Sequence, residues 1–100
     1  MVTQTYTLTK TGSTFGTVAE LIAEVNTVIS NSSYLSYLEQ AQADELVTVE
    51  GTFDGTNSLT VTREWDDAAY ATFVADYASD RNANRNALEA AGWTVTGDEI

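Results

Sequence analysis

Leu46-Val47-Thr48-Val49-Glu50-Gly51-Thr52-Phe53 and Ser58-Leu59-Thr60-Val61-Thr62-Arg63-Glu64-Trp65 alternate their side-chain character on either side of Asp54-Gly55-Thr56-Asn57. Period-two alternation marks a strand with one buried face, and Asp, Gly and Asn are residues that turns select, so the stretch predicts a β-hairpin. Upstream, residues 2–10 alternate in the same way, with Val2, Gln4, Tyr6 and Leu8 on one side and Thr3, Thr5, Thr7 and Thr9 on the other. Downstream, Trp93-Thr94-Val95-Thr96 resumes the alternation as a short last strand. Four strands are thus expected near 2–10, 46–53, 58–65 and 93–96.

The intervening segments carry the 3.6-residue period. Thr17-Val18-Ala19-Glu20 has the form of a capping box and predicts a helix over 17–30, with an apolar stripe of Val18, Leu21, Ile22, Val25, Val28 and Ile29. Beyond Asn31-Ser32-Ser33, the spacing of Tyr34, Tyr37, Leu38 and Ala41 predicts a second, short helix. Asp66 or Asp67 caps a long helix over 66–91 whose stripe is Tyr70, Phe73, Val74 and Tyr77. Its polar stretch from Ser79 to Asn86 has weak helix propensity and predicts a bend or fraying, and Gly92 stands where a helix stop is expected. The expected core includes Leu21, Ile22, Val25, Val49, Val61, Phe73, Val74 and Leu88.

This order is the ferredoxin-like βαββαβ pattern: one α+β domain over residues 1–100, a four-stranded antiparallel sheet with helices on one face. Within that pattern, Arg63-Glu64-Trp65 running into a helix of Tyr70, Phe73 and Val74, with the closing Leu88, Gly92, Trp93 and Val95, is similar to the dimeric α+β barrel group. The resemblance implies sheet-to-sheet pairing of two chains. It also implies a possible place among cofactor-independent oxygenases or haem-degrading enzymes. The acidic, Lys-poor composition resembles that of small uncharacterised proteins of marine phages.

Several chemistries are excluded by composition. The 100 residues hold no Cys, no His and no Pro, and 15 acidic residues face four basic ones for a net charge of −11. Without Cys there is no disulfide, thiol nucleophile or thiolate metal site. Without His, the usual proton shuttle, the commonest transition-metal ligand and the base of a hydrolytic triad are missing. Lys10, Arg63, Arg81 and Arg85 are too scattered in so negative a chain to hold a phosphate backbone or an anionic membrane surface. The longest apolar run is Ala68-Ala69-Tyr70-Ala71, and the first residues lack the basic and apolar regions of a secretory signal. A cytoplasmic or virion-associated setting is expected, with neither nucleic acid nor membrane as partner.

The strand faces are the most informative feature. Val2, Tyr6, Leu8, Val47, Val49, Phe53, Leu59, Val61, Trp65, Trp93 and Val95 share one face, whereas ten of the sixteen threonines lie on the other with Leu46, Glu50 and Glu64. A Thr face suits water, because Thr combines strand propensity with solubility. It also suits contact with a second copy, which makes Thr5, Thr7, Thr48, Thr60 and Thr62 candidate interface residues. Tyr34 and Tyr37 form a second candidate edge, since Tyr is enriched at interfaces, with packing over the sheet edge or core as their expected role.

Arg63 falls on the apolar face and must reach a carboxylate, stack on a ring or escape at the strand end. The expected outcome is an arginine that snorkels to solvent and pairs with an acid. The sharper alternative is an anion-binding residue in a ligand pocket floored by Trp65, with Tyr6 or Trp93 nearby. The local carboxylate pairs Glu20 and Glu24, Asp66 and Asp67, Asp76 and Asp80, and Asp98 and Glu99 lack metal-loop spacing, so no metal, cofactor or catalytic residue is assigned. The expected function is a small acidic binding or structural subunit that self-associates, most simply as a homodimer. The alternative, a cofactor-independent enzyme of the barrel type, requires a closed apolar cavity of about 300 Å³ or more with convergent polar groups.

Overall fold

The hairpin forms where the alternation places it. In the computed structural model, which describes residues 1–29, 32–98 and 100, β1 (Val2–Lys10), β2 (Val47–Phe53), β3 (Ser58–Trp65) and β4 (Trp93–Gly97) make one sheet. Its order is β2-β3-β1-β4, and every neighbouring pair is antiparallel. Four helices, α1 (Val18–Val28), α2 (Ser32–Ala43), α3 (Asp67–Asp76) and α4 (Ala78–Ala90), complete an α+β fold. The expected helix end at Ser30, the break at Asn31 and the acid Glu99 lie outside the described residues.

Local chemistry explains the boundaries. Asp54 Oδ1 accepts from the backbone N–H of Thr56 at 2.8 Å and of Asn57 and Ser58 at 3.0 Å each, which closes the turn and holds the carboxyl below its ordinary range. At the start of α1, Thr17 Oγ1 accepts from Glu20 N at 3.3 Å. The Glu20 carboxylate reaches back to Gly16 N at 2.8 Å, one residue earlier than an ideal capping box. After α2, Leu46 N–H bonds Ala41 O at 2.8 Å and Glu45 N–H bonds Gln42 O at 3.1 Å, the two bonds of a Schellman motif. Glu45 occupies its left-handed position with φ +60°. Glycine adopts that conformation without the Cβ clash, so Glu45→Gly is expected to raise the unfolding free energy by about 0.5–1 kcal/mol in urea denaturation. A loss of stability would mean that the Glu45 side chain is itself required.

The long C-terminal helix is two helices. The break falls at Tyr77 (φ −116°, ψ 15°), just ahead of the polar stretch, which is itself helical in α4. Tyr77 stacks on Tyr37 at 4.7 Å between centroids, so its ring turns into the protein at the corner. Arg81 secures that corner from α4. Its guanidinium lies 5.0 Å from the Phe73 ring centre and donates to the Val74 carbonyl at 3.2 Å, where α3 leaves carbonyls without helical partners. The buried residues of α4, Arg81, Asn84 and Leu88, do follow a helical period. Two of the three are polar, which hides the period from a search for apolar stripes.

The core divides into two clusters on one face of the sheet. Tyr6, Leu8, Leu21, Val25, Leu59, Val61, Leu88, Trp93 and Val95 make the first, with Phe15 and Ile100. Tyr34, Leu38, Ala41, Val47, Trp65, Ala69 and Phe73 make the second. Leu21, Val25, Val61, Phe73 and Leu88 are therefore core residues as expected. Ile22, Val49 and Val74 are not, being 41%, 42% and 38% exposed. Val74 lies one residue, or about 100° of helix, off the stripe of Phe73. Val49 sits on the edge strand β2, where α1 and α2 leave the sheet partly uncovered, and Ile22 faces the same gap from α1.

Candidate functional site

Between the two clusters, where α1 and α2 stand apart over β1, β2 and β3, lies a solvent-open cavity of about 210 Å³. Its walls are chiefly apolar, from Ile22, Val25, Leu38, Val49, Leu59 and Val61, with the neutral amides of Asn26 and Gln42 among its lining residues. Tyr6, Tyr34 and Arg63 supply the other polar groups.

Arg63 reaches this place because its strand is interior to the sheet. Opposite it stand Gln4 on β1 and Val49 on β2, so no sheet edge lies within reach of its side chain. The expected escape to solvent with an acidic partner does not occur. Arg63 is 6% exposed, and among the described residues it makes no ion pair. Its Nη2 donates to Tyr6 Oη at 2.8 Å and to Tyr34 Oη at 3.3 Å, joining one residue from each core cluster. Its guanidinium carbon lies 5.0 Å from the Tyr6 ring centre and 5.9 Å from that of Phe73, distances at which ring faces offset part of the lost hydration. Nη1 and Nε are shielded from water and have no hydrogen-bond partner among the described residues. Burying a charged group with unsatisfied donors is costly.

Tyr6 is tuned by the same burial. Removal from water pushes its phenol up to about 12, with nearby Arg63 pulling in the opposite direction, so the hydroxyl stays a proton donor throughout the neutral range. Because the folded value lies above the ordinary 10.0, its contribution to stability is complete below pH 10 and is lost as pH rises toward 12. The shift corresponds to roughly 2–3 kcal/mol. Urea denaturation between pH 9 and 12 should therefore show a steeper loss for the unaltered chain than for Tyr6→Phe. Equal slopes would mean that the Tyr6 hydroxyl is hydrated.

Only part of the expected pocket assembles. Arg63 and Tyr6 line the cavity, whereas Trp65 and Trp93 do not. Trp65 is fully buried in the second cluster, 4.7 Å from Phe73, and its indole donates to Gln4 Oε1 at 2.9 Å. Trp93 stacks on Phe15 at the opposite side of the core. Tyr34 and Tyr37, a candidate contact edge with packing as the expected role, turn inward. Tyr34 is 2% exposed and joins the cavity instead, and Tyr37 is half-buried against Trp65, Phe73 and Tyr77 with its hydroxyl donating to Ala69 O at 3.0 Å. Tyr34 was visible as an inward residue of the α2 stripe, but its meeting with Arg63 had no sequence signal.

The threonine face forms as expected. Thr5 pairs with Thr62, and Thr7 stands between Thr60 and Thr96. Thr7 Oγ1 lies 3.0 Å from Thr60 Oγ1 and Thr9 Oγ1 lies 2.6 Å from Ser58 Oγ, so these hydroxyls satisfy one another across the strands. Thr48, Glu50, Thr62 and Glu64 border a shallow depression of about 70 Å³ on that face. Among the described residues no group of three or more Asp or Glu side chains is placed to hold a metal ion. No helix among them is long and apolar enough to cross a membrane.

No protein-family model matches the chain, and no curated protein does. A crystal structure of a C-terminal segment of the alpha subunit of aIF2 from Pyrococcus abyssi is similar over 99% of this chain and 50% of that one, with 19% identity and a TM-score of 0.47. The chain thus spans about half the length of that structure, and a likeness of this degree carries no argument about function.

Proposed function

We propose that this chain is a small acidic binding subunit that holds a ligand in the cavity at Arg63 and a second copy of itself on the threonine face. The observation that carries the first part is the buried Arg63, whose Nη1 and Nε are unsatisfied among the described residues, in the lining of a chiefly apolar cavity. Binding is favoured over turnover by the cavity itself. It is open and smaller than the ~300 Å³ at which drug-sized pockets begin. Among its described lining residues there is no Asp or Glu side chain to act as a general base. The strand order and the antiparallel pairing support a ferredoxin-like description of the fold, with α2 as an added helix.

The second part rests on the uncovered sheet face. Among the described strand residues its charges are confined to Glu50 and Glu64, although the chain carries −11 overall, and four of its hydroxyls are already mutually bonded. Two such faces can approach with Thr methyl groups packing and water or hydroxyls bridging. Light scattering at about micromolar concentration is expected to give twice the 10.8 kDa chain mass, and Thr60→Arg with Thr62→Arg to return it to the monomer. A monomer at every concentration removes the self-association. For the cavity, small apolar alcohols, amides and acids are titrated into 15N-labelled protein. Shifts centred on Ile22, Val49 and Val61 are expected, and their absence with every compound removes the binding function.

A further inference from the structure

We infer that the ligand of this cavity is a small apolar monocarboxylate, its carboxylate set against Arg63 and Tyr6 and its hydrocarbon part against Ile22, Val25 and Val49. The inference rests on the binding function proposed above and names its ligand class.

The argument begins with what Arg63 lacks. A guanidinium offers five N–H donors in a planar fork that matches a carboxylate. Here Nη2 is used by two tyrosine oxygens, and Nη1 and Nε have no acceptor among the described residues. Acidic residues are abundant in this chain, yet none of those described pairs with this cation. Tyr6 adds a complementary donor. Its oxygen accepts from Arg63, which leaves its own proton without an acceptor among the described residues and polarises the O–H toward a bound anion. Arg63 is the one Lys or Arg among the described lining residues, and Tyr6 beside it is a neutral donor, which suits an anion of a single negative charge.

Two further observations narrow the class. The net charge of −11 repels anions at long range, which weighs more heavily against a phosphate dianion than against a carboxylate. The cavity of about 210 Å³ admits a short alkyl or aryl group, and the exposed apolar side chains of Ile22 and Val49 give that group a surface to cover.

Octanoate, octanol and acetate separate the contributions by calorimetry and by 15N chemical-shift mapping. Octanoate is expected to bind with a Kd of roughly 1 mM or below, and octanol and acetate about tenfold or more weakly. Arg63→Met should weaken octanoate by about tenfold or more while leaving octanol unchanged, and Tyr6→Phe should weaken octanoate less. Arg63→Met replaces a buried unpaired charge by an apolar chain of similar length, so its melting temperature should not fall. Should that variant unfold, Tyr6→Phe and the comparison of octanoate with octanol still decide the matter. Equal affinity for octanol and octanoate would overturn the monocarboxylate assignment and leave the binding function standing. Absence of binding by all three, with no shift at the cavity, would overturn both.

Discussion

Trp65→Ala is expected to lower the unfolding free energy by about 4–6 kcal/mol, measured by urea denaturation at neutral pH. The indole is fully buried at the centre of the second cluster, 4.7 Å from Phe73, 6.3 Å from Tyr37 and 6.2 Å from Tyr70 between ring centres. Truncation leaves a large cavity beneath α2 and α3, and rings stacked on several sides cannot collapse far into it. It also removes the indole N–H that reaches Gln4 at 2.9 Å on the neighbouring strand. A domain of this size is stable by only about 5–15 kcal/mol, so the variant approaches global unfolding. Trp65→Phe should recover most of the packing and keep the loss of the hydrogen bond, about 1 kcal/mol. An alanine variant that lost less than about 2 kcal/mol would show that the aromatic cluster contributes little to stability.

Gly97→Ala is expected to cost about 3–4 kcal/mol in the same assay and to loosen the end of β4. Gly97 pairs with Tyr6 in the β1–β4 register and has φ +94°, a region that L side chains seldom adopt. An added Cβ would lie 2.6 Å from the Thr5 carbonyl oxygen and 3.1 Å from Tyr6 Cα. Both are backbone atoms, so no rotamer change relieves the clash. The following residue shows what is lost. Asp98 N–H donates to Thr5 O at 2.8 Å while its carboxylate accepts from Thr5 N–H at 2.8 Å, extending the ladder by a side chain. Beyond it the buried Ile100 lines the cavity, so the variant should also weaken ligand binding there. Hydrogen exchange at Thr5 and Asp98 is the sensitive readout, and unchanged protection would show that the strand end adapts.

Much of the fold was legible because it rests on local rules. The alternation on four segments, the turn at Asp54-Gly55-Thr56-Asn57, the Thr17 cap and the Gly92 stop each depend on residues within a few positions. The partition of threonines to one face follows from the same period of two. The break at Tyr77 was misplaced because it depends on where the ring finds Tyr37, not on the helix propensity of the residues after it. The polar stripe of α4 went unseen because Arg81 is buried through bonds to Val74 O and the Phe73 ring, partners supplied by another helix.

The candidate site divides in the same way. From sequence alone, Arg63 had to lie on the apolar face, and a chain without His or Cys had to rely on Arg, Tyr and carboxylates for polar chemistry. Strand order decided the rest. With β3 between β1 and β2, the Arg63 side chain has no edge to escape over, whereas a strand at the edge of the sheet would have let it reach water. The separation of α1 from α2 leaves Val49 and Ile22 uncovered and opens the cavity, and the placement of α2 brings Tyr34 to Arg63 in place of Trp65. Face assignment follows from the fixed two-residue repeat of an extended chain. Which groups then meet on that face depends on long-range pairing and helix placement, and these are set by packing between residues far apart in the sequence.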